Sequence, residues 1–309
     1  MSRVATPPPA PAPAPPVAAP RPQAVGRGRL GFPKIGWVGV VLVGLFVLMA
    51  LLAPHLTPYR VTELAGDPLE PPSGDHLLGT NAVGQDVASQ LLQGARVSLF
   101  VALFAGGGTL LVGSAFGLIA GWAGGRTDAV LMRFVDVVLI IPKIPLLIVA
   151  GAYAGPSLAA IAVIIALTSW PPTARVVRSQ VLSLRRRAHV KAAMSFGASS
   201  AQILRRHILP EVALILVAGF VAAAGRAISF EAGLAFLGLG DPSRASWGAI
   251  VRDAIDFGGL FFTDAWAWWL VPPVVAVSLL LLGVTLLGVG VEHRLNPRVA
   301  RHAPGGAAA

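Results

Sequence analysis

The chain contains no cysteine. That excludes disulfide frameworks, thiolate zinc sites, iron–sulfur ligation and cysteine nucleophiles, and leaves the redox compartment unread. Charge is nearly as scarce. Asp, Glu, Lys and Arg make up 12% of 309 residues, against about 25% in a soluble domain. With 55% hydrophobic residues and a mean hydropathy of +0.74, half the usual solvating charge is missing and the composition is that of a membrane protein. No G-x-x-x-x-G-K-[ST] phosphate loop occurs, so the chain does not cradle ATP by that motif. The six histidines, His55, His76, His189, His207, His293 and His302, lack metal-ligand spacing, and Glu292-His293 has no second histidine four residues away. Ser98 and Ser229 have no acid and base pair near them in sequence. No catalytic, metal or cofactor-binding residue is therefore expected.

What is present is long apolar runs. Ile35 to Pro54, Val97 to Gly125, Ile144 to Ala174 and Trp266 to Val291 each suffice to cross about 30 Å of hydrocarbon. Gly155-Pro156 divides the third, predicting helices from about Ala129 to Tyr153 and from Ser157 to about Thr173. A further helix from Glu211 to about Leu239 is apolar but for Arg226 and Glu231. The expectation is an all-α polytopic membrane protein with about six spans.

Residues 1–34 are dominated by Pro and Ala, from Pro7 through Pro16. Too little apolar volume is present to offset ordering entropy, so a disordered cytoplasmic tether is expected, with a Pro-rich ligand as the lesser reading. The apolar run behind it is long enough to span, unlike the core of a cleavable signal. The expected divisions are 1–34, the tail; 35–96, the first span and an external segment; 97–291, the core with a coupling loop at 175–210; and 292–309, a cytoplasmic tail.

The net charge of +10 comes from 24 Lys and Arg against 14 Asp and Glu, unevenly placed. Basic residues gather in the tail (Arg3, Arg21, Arg27, Arg29, Lys34), between the fourth and fifth spans (Arg175, Arg178, Arg185, Arg186, Arg187, Lys191, Arg205, Arg206) and at the end (Arg294, Arg298, Arg301). Acidic residues gather after the first span and before the last. The positive-inside rule then places both termini and the basic loop in the cytoplasm. Membrane lipid headgroups account for the basic residues at span ends, and a nucleic-acid partner is not expected.

Gly113, Gly117, Gly121 and Gly125 recur every four residues, predicting a groove on the second span filled by a neighbouring helix of the same chain rather than by another subunit. Arg226 and Glu231, five residues apart, point about 140° from each other on an ideal helix. A charge at the centre of a span costs about 2.5 to 3.5 kcal/mol on insertion scales, so both should face protein or water. Arg226 is expected to line a cavity or contact a paired subunit, with an ion pair to another span as the alternative. Arg133, Asp136 and Lys143 share a helical face and predict a buried polar seam, with Pro142 and Pro145 kinking the third span into a possible hinge.

The basic loop carries helix punctuation. Ala188 to Phe196 reads as a short helix capped by Gly197. Ser199 and Gln202 read as a capping box opening a second short helix, Ala201 to Leu209, that ends where Pro210 begins the fifth span. Small residues Ala192, Ala193, Gly197 and Ala198 leave backbone accessible, while Met194, Phe196, Ile203 and Leu204 offer apolar anchors.

Lys191-Ala192-Ala193, then Gly197, then Ile208-Leu209-Pro210, resembles the EAA loop of the membrane subunits of ATP-binding-cassette importers. Leu78-Gly79-Thr80-Asn81, Gly84-Gln85-Asp86, Gly94 to Leu99, Glu231 to Gly240, Ser246-Trp247-Gly248, Leu287 to Gly290 and Leu295-Asn296-Pro297-Arg298 narrow the resemblance to the C-type permease of dipeptide, oligopeptide and nickel importers. It covers about Ile35 to Arg298 in several ordered motifs. The resemblance implies a type I importer permease fold in a prokaryotic inner membrane. It implies a homologous second permease, two ATPase subunits that hold ATP and Mg, and an external solute-binding protein. It also implies a coupling helix that transmits ATPase closure to the spans. Lys191 stands where the family usually has Glu, reversing the charge available to an ATPase ion pair. Asn81, Gln85 and Gln90 replace the usual Asp, Arg and Arg, converting an ionic network to neutral hydrogen bonds. Other classes compatible with the composition are a membrane enzyme, which would need a catalytic cluster, and an autonomous secondary transporter or channel, which would not need a coupling loop.

Overall fold

The computed structural model describes residues 32–295, so the expected tail before Phe32 and the terminal stretch with Arg298 lie outside the described residues. Among those described, the fold is helical, with one isolated bridge between Thr80 and Asp86. Four helices are long and apolar enough to cross a membrane, or six when each of two bent pairs counts as one span, which agrees with the count read from sequence.

The first span, α1 (Lys34–Leu56), lies antiparallel on the last, α11 (Val271–Leu295). A Cβ on Gly39 would sit 2.3 Å from the Leu287 amide nitrogen, so this approach of two backbones excludes any larger residue. The second span, α2 (Val87–Ala123), is the spine, packing on α6 (Pro171–Arg185), on α9 (Leu209–Phe236) and on α5 (Leu158–Ser169). The glycine groove receives α6 of the same chain, as expected. A Cβ on Gly113 would meet Thr173 at 2.6 Å, on Gly117 the Ala174 carbonyl at 2.5 Å, and on Gly121 Val181 at 2.8 Å. Gly125 is not part of it. With a φ of +54° it starts the next helix, and open space surrounds its Cβ position.

The third span is two helices, α3 (Gly125–Ile140) and α4 (Lys143–Ala154), meeting at 82°. Pro142 removes an amide, and Ile141 before it adopts ψ 124°, the extended state that a following proline favours. The proline kink expected from sequence is thus a full break. The fourth span also outruns its expected end at Thr173: α5 ends at Ser169, Pro171 opens α6, and the chain continues at a 45° bend to Arg185. Arg175, Arg178 and Arg185 therefore stand on a helix, not in a loop.

After α7 (Ala188–Ser195) the single turn α8 (Ser200–Ile203) passes through a π turn, Leu204–Ile208, into α9. The expected stop at Pro210 is absent, and Ser200–Phe236 is one apolar rod. The Leu209 amide donates to Leu204 O, five residues back, so the widened turn lies where Pro210 supplies no donor. α11 is entered likewise, through the π turn Trp266–Leu270 just before Pro272 and Pro273.

Residues 57–86 and 237–265 share one end of the bundle. Trp268 Nε1 donates to Thr80 O at 3.3 Å, and Trp247 Nε1, from α10 (Trp247–Asp256), donates to Leu91 O at 2.9 Å. The two acidic segments meet, with Val61 and Gln85 of the first and Asp241 and Arg252 of the second lining one cavity, and the α6–α9 connection sits at the opposite end.

Candidate functional site

The α6–α9 connection is a built element rather than a tether. Val190 of α7 packs with Val177, Val181 and Leu184 of α6, and with Ile203, Ile208 and Val212. Each such residue withdrawn from water stabilises by about 1.5 to 3 kcal/mol, enough to hold a short helix that would not form alone. Gly197 has a φ of +80°, and the Ala198 and Gly197 amides donate to Ala193 O at 3.1 Å and Met194 O at 3.0 Å, the paired bonds of a Schellman cap. Ser199 Oγ accepts from the Gln202 amide at 3.3 Å, the forward half of the expected capping box. Arg187 donates to Glu211 at the foot of α9, and His189 Nε2 lies 3.8 Å from the other Glu211 oxygen.

Burial sorts the residues singled out from sequence. Lys191, Ala192 and Gly197 are exposed, as are Met194 and, at 90%, Phe196. Ala193 and Ala198 pack against the cluster beneath. Ile203 is not an anchor for a partner: at 1% exposure it belongs to that cluster, with Leu204 against it. Ile208 is buried too, whereas Leu209 and Pro210 are exposed. The Cβ position of Gly197 faces open space.

Inside the spans the charged residues separate. Glu231 is 2% exposed and its Oε2 has no hydrogen-bond partner. Arg226, on the exposed side of α9, lines a cavity of about 550 Å³ between α9 and α11 with Ser229, Phe230, Thr285 and Glu292. Neither forms an ion pair among the described residues. The expected seam of Arg133, Asp136 and Lys143 does not form, because the 82° break falls between Asp136 and Lys143. Asp136 instead accepts from Arg175 at 2.5 Å, Lys143 Nζ donates to Ser169 Oγ at 2.6 Å, and Arg133 is exposed. Sequence reading missed the two-bond pair of Arg178 with Asp128, at 2.5 and 2.6 Å. Fifty residues separate its members, and no local spacing signals it.

At the end built from 57–86, Gln85 Oε1 accepts from Asn81 Nδ2 and Gln90 Nε2, both at 2.8 Å, and Asn81 Oδ1 accepts the Val83 and Gln85 amides. This is the neutral network anticipated for that triad. In the loop 237–246 the Asp241 carboxyl is pushed up by burial. Hydrogen bonds from the Ser243 hydroxyl and amide and the Leu158 amide, with the Arg244 charge, outweigh this and hold it below the usual carboxylate range.

A helical bundle with four to six apolar crossings, broken spans and a buttressed short helix at one end is that of a multi-pass membrane protein. Residues 113–301 match the family model described as binding-protein-dependent transport system inner membrane component, and residues 33–72 match that of the N-terminal TM domain of oligopeptide transport permease C. The chain is similar to the dipeptide transport system permease protein of Bacillus subtilis (strain 168), at 33% identity over 275 residues, 88% of this chain and 85% of that one. The oligopeptide transport system permease protein of the same organism is 32% identical over 87% of each chain. The glutathione transport system permease protein of Pectobacterium atrosepticum is 35% identical over 84% of this chain and 87% of that one. The chain belongs to the family of binding-protein-dependent inner membrane components, as a C-type permease with the type I ATP-binding-cassette importer fold.

Proposed function

We propose that this chain is one of two permease subunits of an ATP-driven importer for peptides or related solutes, with ATP and Mg held by separate ATPase subunits. The solute class rests on the relatives' names, which speak of dipeptides, oligopeptides and glutathione. The observation that carries the coupling role is α7, a rigid helix buttressed by Val190 against α6 and α9, with Ala192, Met194, Phe196 and Gly197 turned outward. An ATPase subunit seated there would move both spans, because α8 runs without a break into α9. The distribution of basic residues supports a cytoplasmic placement of this end and of both termini, with residues 57–86 and 237–265 outside, open to a solute-binding protein. Lys191 requires a partner surface that does not present the cation usually matched by Glu at this position.

The test is purification of tagged protein from its native membrane in mild detergent, with mass spectrometry of co-purifying chains and ATPase assay. A homologous permease and ATPase subunits carrying the phosphate loop are expected. Gly197→Trp should abolish both ATPase recovery and transport at normal expression. Gly197→Ala shares the left-handed backbone strain, about 1 to 2 kcal/mol, without the bulk and should retain most of each. Recovery of the chain alone, free of ATPase activity, would instead indicate an autonomous transporter.

A further inference from the structure

Lys143, from the third span, reaches the ring of Phe230 on the fifth, one turn beyond Arg226. Lys143 opens α4 just past the break in the third span, and its Nζ lies 4.2 Å from the centre of the Phe230 ring while donating to Ser169 Oγ at 2.6 Å. Arg226 precedes Phe230 by one turn on the same face of α9. Both lie deep. Arg226 is ten residues from the end of α9 at Phe236, which is about 15 Å of rise and half of a bilayer's hydrocarbon. Among the described residues neither cation has an ion-pair partner. Two like charges at that depth call for an anion supplied from elsewhere.

The cavity indicates which anion. Arg226, Ser229 and Phe230 line the space of about 550 Å³ between α9 and α11, a size within the usual range of about 300 to 1,000 Å³ for small-molecule sites. The Cβ position of Gly225 lies 3.1 Å from Val284 and that of Gly288 3.5 Å from Val221, so the two helices run antiparallel and Arg226 stands level with Gly283. Glu292, also in the lining, is nine residues further along α11, about 13.5 Å by helical rise. An extended peptide covers about 3.3 to 3.6 Å per residue, so some four residues bridge the two positions, or three with the reach of the two side chains. A cation at one end and a carboxylate at the other complement a zwitterion in one orientation.

We propose that Lys143 and Arg226 receive the terminal carboxylate of a small zwitterionic peptide in transit, with Glu292 facing its ammonium end. The inference rests on the peptide-importer reading above. It is tested by initial rates of uptake of radiolabelled trialanine and of trialanine amide, which lacks the carboxylate, in cells carrying this chain with its native partners. Any preference of the external binding protein is common to all strains and cancels when amide-to-acid rate ratios are compared between them. Wild type should favour the acid. The ratio should rise at least about tenfold in Lys143→Met and in Arg226→Gln, the scale of a lost charge-assisted hydrogen bond, and stay near wild type in Lys143→Arg. Equal slowing of both peptides, with the second permease no longer co-purifying, would show that the counter-charge belongs to that subunit and overturn the proposal. Equal slowing with the assembly intact would overturn it as well. Wild-type cells that take up neither peptide would remove the peptide reading itself, an outcome visible before any variant is compared.

Discussion

The Asp86 carboxylate accepts the Ser89 amide at 2.7 Å, capping the first turn of α2, and also the ring of His76 at 3.0 Å, with both residues almost fully buried. His76 in turn lies against the Tyr59 ring at 5.1 Å between centroids, so one carboxylate ties residues 57–86 to the start of a span. Asp86→Ala removes the cap and strands a buried ring donor, an expected loss of about 2 kcal/mol. The melting temperature of the purified protein in detergent should fall. Asp86→Asn keeps an accepting oxygen and should fall less, and equal losses would deny the cap its part. An aspartate three residues before a serine at a helix start is a local pattern and legible in sequence. The pairing with His76 is not, nor is that of Arg178 with Asp128, because both depend on where the chain returns in space.

At the scale of elements, legibility follows how local the cause is. The cap at Gly197 was readable because only glycine accommodates a φ of +80° without steric cost, and the residues that share its two bonds lie within five positions. The break at Pro142 was readable as a kink, but its 82° angle depends on what α4 packs against, chiefly Leu147 beside Leu158 and Ile161. The continuation through Pro210 was misread because a proline normally ends or begins a helix, and here a π turn absorbs it. The glycines of α2 announced a groove, while its occupant came from the tertiary structure. Gly117→Val should therefore disrupt the α2–α6 contact, since even a Cβ would lie 2.5 Å from the Ala174 carbonyl. Overpacking at such a site costs about 1 to 3 kcal/mol or more. Accelerated proteolysis of the purified variant is expected, and Gly107→Val, on the same helix with open space at its Cβ, should resist like wild type.

At the scale of the whole molecule, the absence of cysteine makes the proposed orientation directly measurable. Gly74→Cys and Gln202→Cys place single thiols on exposed positions at opposite ends of the bundle. A membrane-impermeant maleimide should label the first in intact cells and the second only after permeabilisation, and the reverse pattern would invert the topology. Sequence by itself determined the class, the number of crossings and the charge asymmetry between the two ends, because hydrocarbon thickness and the exclusion of charge act on composition and run length alone. It also determined the caps of α7 and α8, since these satisfy backbone groups within a few residues. Only the tertiary structure decided that Ile203 supports the loop from within while Phe196 faces out, that Glu231 is enclosed while Arg226 opens on a cavity, and that Lys143 leaves Asp136 for Ser169 and Phe230. Those outcomes depend on bend angles and on which helix lies across the groove, and they are set by packing between segments far apart in the chain.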